Sequence, residues 1–179
     1  MRLLDGSDLP SVNFTAIMDD EAKCHVRRAV VTDSDTISTL NADVQAIHAA
    51  AIPWLFKPSV DVETFPSSAV ATLLMKNETL MYLALDGQHA IGYIYAEVRL
   101  RAETSYSYAL DEIFIHHLSV RPRYRSQGIG SALLGAIRHL AAQVHISHLA
   151  ADFWAFNEAA ARFFKKHGFE PYNQRVWLR

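Results

Sequence analysis

Apolar positions in this chain of 179 residues follow two rhythms. Ile37, Leu40, Val44, Ile47 and Ala51 recur at three- and four-residue spacing, which predicts a helix with one buried face. Thr32 and Asp33, just before it, are residue types that suit an N-cap. Pro53 and Pro58 bracket "WLFK" and interrupt the pattern. It restarts as a shorter helix in "FPSSAVATLLMKN", with Pro66 near its beginning. Ile129, Leu133, Ile137, Leu140 and Val144 predict a longer helix, and "NEAAARFFKKHG" another, opened by Asn157 and closed by Gly168.

The second rhythm is that of strands. "HVRRAVV" predicts a first strand, and residues 79–101 form the clearest hairpin. There, two runs rich in branched and aromatic residues flank Asp86-Gly87, a dipeptide suited to a tight turn. Gly92 inside the second run predicts a bulge or a close backbone approach. "SYALDEIFIHHLSV" is a further strand, "HLAADFWAF" a buried one, and "FEPYNQRVWLR" could supply one or two short final strands. Strands and helices in this order predict one α/β domain over residues 25–179. Residues 1–24 mix Gly, Asp, Pro and Ser without a period and read as an N-terminal extension that could be mobile.

Composition narrows the partners. A formal net charge of −2 argues against nucleic acid as the main partner, although Arg121, Arg123 and Arg125 make a local basic cluster. One cysteine, Cys24, excludes an intrachain disulfide and gives no sign of an oxidising compartment. No apolar run reaches the roughly 18 residues of a membrane span. The opening lacks the apolar stretch of a signal peptide. The expectation is a cytoplasmic protein without a membrane partner, with a homodimer left open.

Chemistry enters with "VRPRYRSQGIGSALL", residues 120–134. Glycine costs a helix about 1 kcal/mol relative to alanine, so a helix opened by Gly128 and Gly130 needs a reason. A helix N-terminus carries unpaired backbone N–H groups and the positive end of the helix dipole, and suits an anion that can come close. Gln127, Ile129 and Ser131 offer N–H groups there, and Arg125 and Ser126 can add side-chain donors. The run is not a P-loop, since no lysine follows Gly130. Nor is it a dinucleotide fingerprint, since Leu133 stands where a third small residue is needed. The other reading of the glycines is a tight turn alone.

"LSVRPRYRSQGIGSALL" resembles the acyl-CoA-binding motif of the GNAT superfamily of N-acyltransferases, with Arg125, Gly128 and Gly130 at its defining positions. "FNEAAARFFKKHGFEP" is similar to the second half of that fold. The resemblance covers residues from about Val26 to the C-terminus. It implies a single domain whose mixed, mostly antiparallel sheet is splayed at the cofactor site, with about four helices. It implies acetyl-CoA as acyl donor, its pyrophosphate on the amides from Gln127 to Ser131. Backbone groups of the preceding strand (Leu118, Ser119, Val120) would hold the pantetheine arm, with Asn157 and Phe164 nearby. Asn157 could equally serve as an N-cap.

The implied reaction is transfer of an acetyl group to a primary amine of a small molecule or peptide. The alternative is a non-catalytic acyl-CoA-binding module. GNAT enzymes often place a tyrosine seven residues after the asparagine; here that position is Phe164, which has no proton to give. Tyr172 is a substitute on paper. Alternation along "DEIFIHHLSV" puts Glu112, Phe114, His116 and Leu118 on one face, with Ile113, Ile115, His117 and Ser119 on the other. Glu112 or His116 could take the amine's proton, and either could instead be a polar position on a half-buried strand. No metal site is expected. Trp54, Phe56 and Phe65 could wall the amine pocket, with His48, Asp61 and Glu63 attracting a cation.

Overall fold

The computed structural model describes residues 24–60 and 62–178, so the expected extension lies outside the described residues except for Cys24, and Asp61 lies outside them too. Five strands form one sheet in sequence order: β1 (His25–Arg28), β2 (Thr79–Asp86), β3 (His89–Arg101), β4 (Leu110–Val120) and β5 (His148–Ala151). The first four pair antiparallel, while β5 runs parallel to β4. Four helices cover the sheet: α1 (Ser34–Ala51), α2 (Ser67–Leu74), α3 (Ile129–Gln143) and α4 (Glu158–Lys166). Single 3₁₀ turns at Val31–Asp33 and Pro122–Tyr124 lead from β1 into α1 and out of β4.

The two faces of the sheet bury different sets of side chains. On one, Leu80, Tyr82, Ile94, Ile113 and Ile115 meet Leu133, Ile137 and Leu140 of α3 and Phe164 of α4. On the other, Met81, Leu83, Tyr93 and Tyr95 meet Ile37 and Leu40 of α1 and Val70 of α2. The spacing in α3 is fully used, since every residue of its predicted face is buried. That of α1 is used only in its first half. Ile37 and Leu40 are 0% exposed, but Ile47 is 38% exposed. The C-terminal half of α1 therefore overhangs the sheet instead of packing on it.

Local chemistry matches most predicted boundaries. Asp33 stands at the N-cap of α1, but its carboxylate accepts two bonds of 2.7 Å from Arg27 and one of 2.8 Å from the Val30 N–H, tying β1 to the helix start instead of capping it. Gly92 meets both expectations. The β2–β3 register slips beside it, and a Cβ there would sit 2.6 Å from the Ser119 carbonyl oxygen. Gly168, at φ +79°, ends α4. Around it the N–H groups of Gly168 and Phe169 bond back to Lys165 and Phe164 carbonyls, a Schellman closure sealed by the Phe164–Phe169 ring contact.

The final strands expected in residues 169–179 are absent among the described residues. The tail offers an edge strand too little to bury. Tyr172, Val176 and Leu178 are exposed, and beyond Phe169 the ring contacts are those of Trp177 with Trp54 and Trp154.

Candidate active site

The sheet opens at one place. β4 pairs with β5 only from Glu112 to Ile115, yet continues against β3 to Val120. Beyond Ile115 one edge of β4 faces no strand among the described residues. The Arg121 N–H donates to the Ile91 carbonyl on β3, so alternation turns the backbone groups of Val120 and Leu118 toward the open edge. A bulge lies at the same point: Tyr95 pairs with His117 and Ala96 with Ile115, leaving His116 as the extra residue. Bulges sharpen twist and end pairing, which accounts for the divergence of β4 from β5 here.

The bulge also corrects the predicted faces of β4. Leu118 and Val120 join Ile113 and Ile115 on the α3 side. His116 and His117 both turn to the α1 side, where His116 stacks on Tyr95 at 4.6 Å and His117 meets the same ring edge-on at 5.5 Å. Simple alternation assumes that no residue is inserted, and one is. Ser119 is buried with its hydroxyl donating to the Leu40 carbonyl on α1, so its side chain faces away from the open edge.

At the end of β4 the chain turns into α3. Gly128 is the N-cap at φ +82°, and Ser126 also takes a positive φ of 63°. No side chain caps the helix, and the first intrahelical bond runs from the Ala132 N–H to the Gly128 carbonyl. The N–H groups of Ile129, Gly130 and Ser131 therefore precede the first helical bond, an uncapped N-terminus next to the open edge. The Ser131 hydroxyl is paired with His167 Nε2 at 3.0 Å, leaving its backbone as the group it offers. Arg125 Nε donates to the Val120 carbonyl and Arg121 Nε to that of Ala90, while Gln127 donates to the Arg123 carbonyl. The turn is braced by its own polar side chains. Gly130 has a packing cause as well: a Cβ there would lie 3.1 Å from the Phe163 ring, so its bareness lets α4 approach α3. A Cβ on Gly135, deeper in the same helix, would meet nothing within 4 Å.

On the α1 side, His116 Nε2 lies 3.0 Å from Glu97 Oε2, which also accepts from Arg99 Nε at 3.1 Å. Partial burial opposes ionisation of Glu97, but the bonds from His116 and Arg99 hold its carboxyl below the usual range. With Nε2–H on the carboxylate, the lone pair of His116 sits on Nδ1. Glu112 is a separate group: it is buried, 3.8 Å from Arg101, within the part of β4 still paired to β5. Glu97 is absent from the residues predicted from sequence. Its signal was available, since in "YIYAEVRLR" alternation places Tyr93, Tyr95, Glu97 and Arg99 on one face.

His117 is different again. Burial above all, with the charges of His116 and His48, lowers its pKa to about 4. His48, also held low by burial, stacks on Phe56 at 5.0 Å and meets Phe156 edge-on at 5.8 Å. Phe56 continues to Trp154 at 5.1 Å, and Phe65 covers His117 at 5.0 Å. The predicted aromatic wall thus divides. Phe65 stands against His117 and Tyr95, Phe56 bridges to the β5–α4 connection, and Trp54 pairs with the tail. Glu63 accepts from the Ser67 N–H and the Ser38 hydroxyl, bracing the start of α2.

Of the remaining predicted residues, Asn157 caps α4, its Oδ1 accepting from the Ala160 N–H at 3.0 Å. Phe164 is 7% exposed, stacked on Phe153 and packed edge-on against Phe163 and Phe169. Tyr172 lies in the exposed tail.

The sequence profile of the acetyltransferase (GNAT) family matches residues 44–169. Among curated proteins no sequence match is found. By structure the chain is similar to a tetramutant of the BH1408 protein from Bacillus halodurans, with 20% identity and a TM-score of 0.81 over 86% of this chain and 98% of that one. It is similar to the aminoglycoside N-acetyltransferase AAC(6')-Iy, solved in complex with CoA, with 16% identity and a TM-score of 0.66 over 91% and 98% of the two chains. A third is the aminoglycoside acetyltransferase meta-AAC0020 from an uncultured soil metagenomic sample, solved with sisomicin, at 18% identity and a TM-score of 0.63 over 90% and 97%. At these identities the likeness is one of fold. The family profile, however, takes in both the open edge of β4 and the uncapped start of α3, and the chain belongs to the GNAT family of acetyltransferases.

Proposed function

We propose that this protein transfers an acetyl group from acetyl-CoA to a primary amine. The observation that carries the reading is the coincidence, at one end of β4, of an open strand edge, an uncapped helix N-terminus and a carboxylate-bound histidine. The residues present fit the donor. The amides of Ile129, Gly130 and Ser131 suit a pyrophosphate, with the guanidinium of Arg125 beside them. The Leu118 and Val120 backbones suit an amide-bearing arm that adds to the edge as a strand would. Acetyl-CoA supplies an activated thioester carbonyl; the chain supplies position and proton transfer.

Proximity of amine and thioester accounts for much of the rate. An ammonium must lose its proton before it can attack, and His116 is placed to accept it on Nδ1 while Glu97 holds the ring and stabilises the imidazolium. The outward N–H of Leu118 is placed to stabilise negative charge on a carbonyl oxygen bound along the edge. No acid is assigned to the departing sulfur. Phe164 has none to give, and a CoA thiolate is a stable enough leaving group. The test is thiol release from acetyl-CoA across a panel of primary amines, with the acetylated product identified by mass spectrometry. Tight acetyl-CoA binding without turnover of any amine would favour an acyl-CoA-binding module instead.

A further inference from the structure

Beside the proposed base runs a buried chain of hydrogen bonds for which the reaction has no evident use. The Thr64 hydroxyl, in the α1–α2 connection, donates to Asn41 Oδ1 at 3.1 Å. Asn41 Nδ2 donates to the Tyr93 hydroxyl oxygen at 2.9 Å, and that hydroxyl lies 3.0 Å from His117 Nδ1. Asn41 is buried on α1 and Tyr93 is fully buried on β3. Four elements are thus joined through one ring. Such a network is costly unless every member is satisfied.

The chain has a sense. Because Tyr93 receives the Asn41 N–H, its own proton is the one left to bond His117, and His117 Nδ1 must accept it. A neutral imidazole that accepts at Nδ1 carries its proton on Nε2. Burial keeps the ring neutral until about pH 4. His117 Nε2 has no partner among the described residues. Among the described residues the fully buried side-chain polar atom without a partner is Asp43 Oδ2, so the unpaired Nε2 is not fully cut off from solvent. Phe65 and Tyr95 flank the ring edge-on and fix its plane.

We infer that His117 is a specificity-determining hydrogen-bond donor, locked as the Nε2–H tautomer, that selects acceptor amines carrying a hydroxyl or carbonyl oxygen close to the reacting nitrogen. The inference rests on the acetyltransferase reading above and names the class of its acceptor. Geometry separates this donor from those serving the thioester. The free N–H groups of Leu118 and Val120 lie in the plane of the sheet at its edge, whereas a strand side chain projects from its face. His117 projects to the α1 side, beside His116, where the amine must come to lose its proton. A fixed donor rejects an analogue lacking the oxygen, because the donor is then desolvated without a partner. Thr64, Asn41 and Tyr93 are positioning residues acting through His117.

Two measurements test this. Long-range proton–nitrogen NMR of the ¹⁵N-histidine-labelled protein at neutral pH should show His117 protonated at Nε2 and bare at Nδ1. If the Asn41 amide is turned over, the same residues run the opposite way and Nε2 becomes a lone pair; an Nδ1–H signal therefore overturns the inference. In turnover, wild type should prefer ethanolamine over ethylamine, and glucosamine over cyclohexylamine, by about tenfold or more in kcat/KM, expressed mainly in KM. His117→Phe should abolish the preference, and His117→Gln, which can still donate, should retain part of it. Tyr93→Phe should reduce the preference and give a mixed tautomer signal. Equal use of the paired amines by wild type, or an intact preference in His117→Phe, overturns the inference. If no amine is acetylated, the acetyltransferase reading fails separately; the tautomer signal and the calorimetric affinities for ethanolamine and ethylamine then decide this one.

Discussion

Two adjacent histidines in one bulge illustrate how environment divides identical side chains. His116 has a carboxylate partner in Glu97, while His117 has a phenol in Tyr93 and an aromatic cover in Phe65. The first is suited to accept a proton and the second to remain neutral. Glu97→Gln keeps a hydrogen bond to His116 but removes the charge that favours the imidazolium. It should lower kcat by about ten- to a hundredfold, at or below the lower end of the roughly 10²–10⁴-fold of general-base effects because the base itself remains, with little change in acetyl-CoA affinity measured by calorimetry. Phe164→Tyr should change turnover by less than about fivefold. Its ring is stacked among Phe153, Phe163 and Phe169, so an added hydroxyl would be buried without a partner at a cost of about 1–3 kcal/mol, readable in urea unfolding. A hundredfold gain in turnover would mean that proton delivery to sulfur limits the rate.

At the scale of elements, the two glycines of α3 separate packing from propensity. Gly130→Val would drive a branched side chain into the Phe163 ring, and should lower stability by about 1–3 kcal/mol as overpacking does. Gly135→Ala has open space for its methyl group and should raise stability by about 1 kcal/mol, because alanine is the better helix former. Equal effects of the two would contradict this assignment of α3–α4 packing. The period of α3 was legible in sequence because the whole helix lies on the sheet. That of α1 was legible only as far as Leu40, since an overhanging half keeps apolar residues without burying them. Gly92 and Gly168 could be read because a close backbone approach and a left-handed residue each demand glycine. The bulge at His116 could not, because nothing in "IFIHHLSV" distinguishes an inserted residue from a continuous pleat. Missing it set His116 and His117 on opposite faces and Leu118 beside His116, so the pairing of His116 with Glu97 went unread although alternation along β3 does expose that carboxylate.

For the whole molecule, the buried histidines couple stability to pH. His117 takes a proton in the folded protein only near pH 4, against about 6.5 for an exposed imidazole. Between those values the unfolded chain binds a proton that the folded one refuses, so stability falls as pH drops from about 6.5 toward 4. His48, held low by burial, acts in the same direction. Urea unfolding across this window should show the loss, and His117→Phe should flatten its slope. The same fold brings the proposed donor site and the α1-side histidines to one divergence of the sheet, and the central claim is that the Glu97–His116 pair there deprotonates the amine. Its most direct test is kcat/KM near neutral pH with one acceptor for wild type, Glu97→Gln and His116→Phe. The account predicts a fall of about tenfold or more in Glu97→Gln and a larger one in His116→Phe, with acetyl-CoA affinity kept. Full activity in both variants would show that this pair takes no part in the proton transfer.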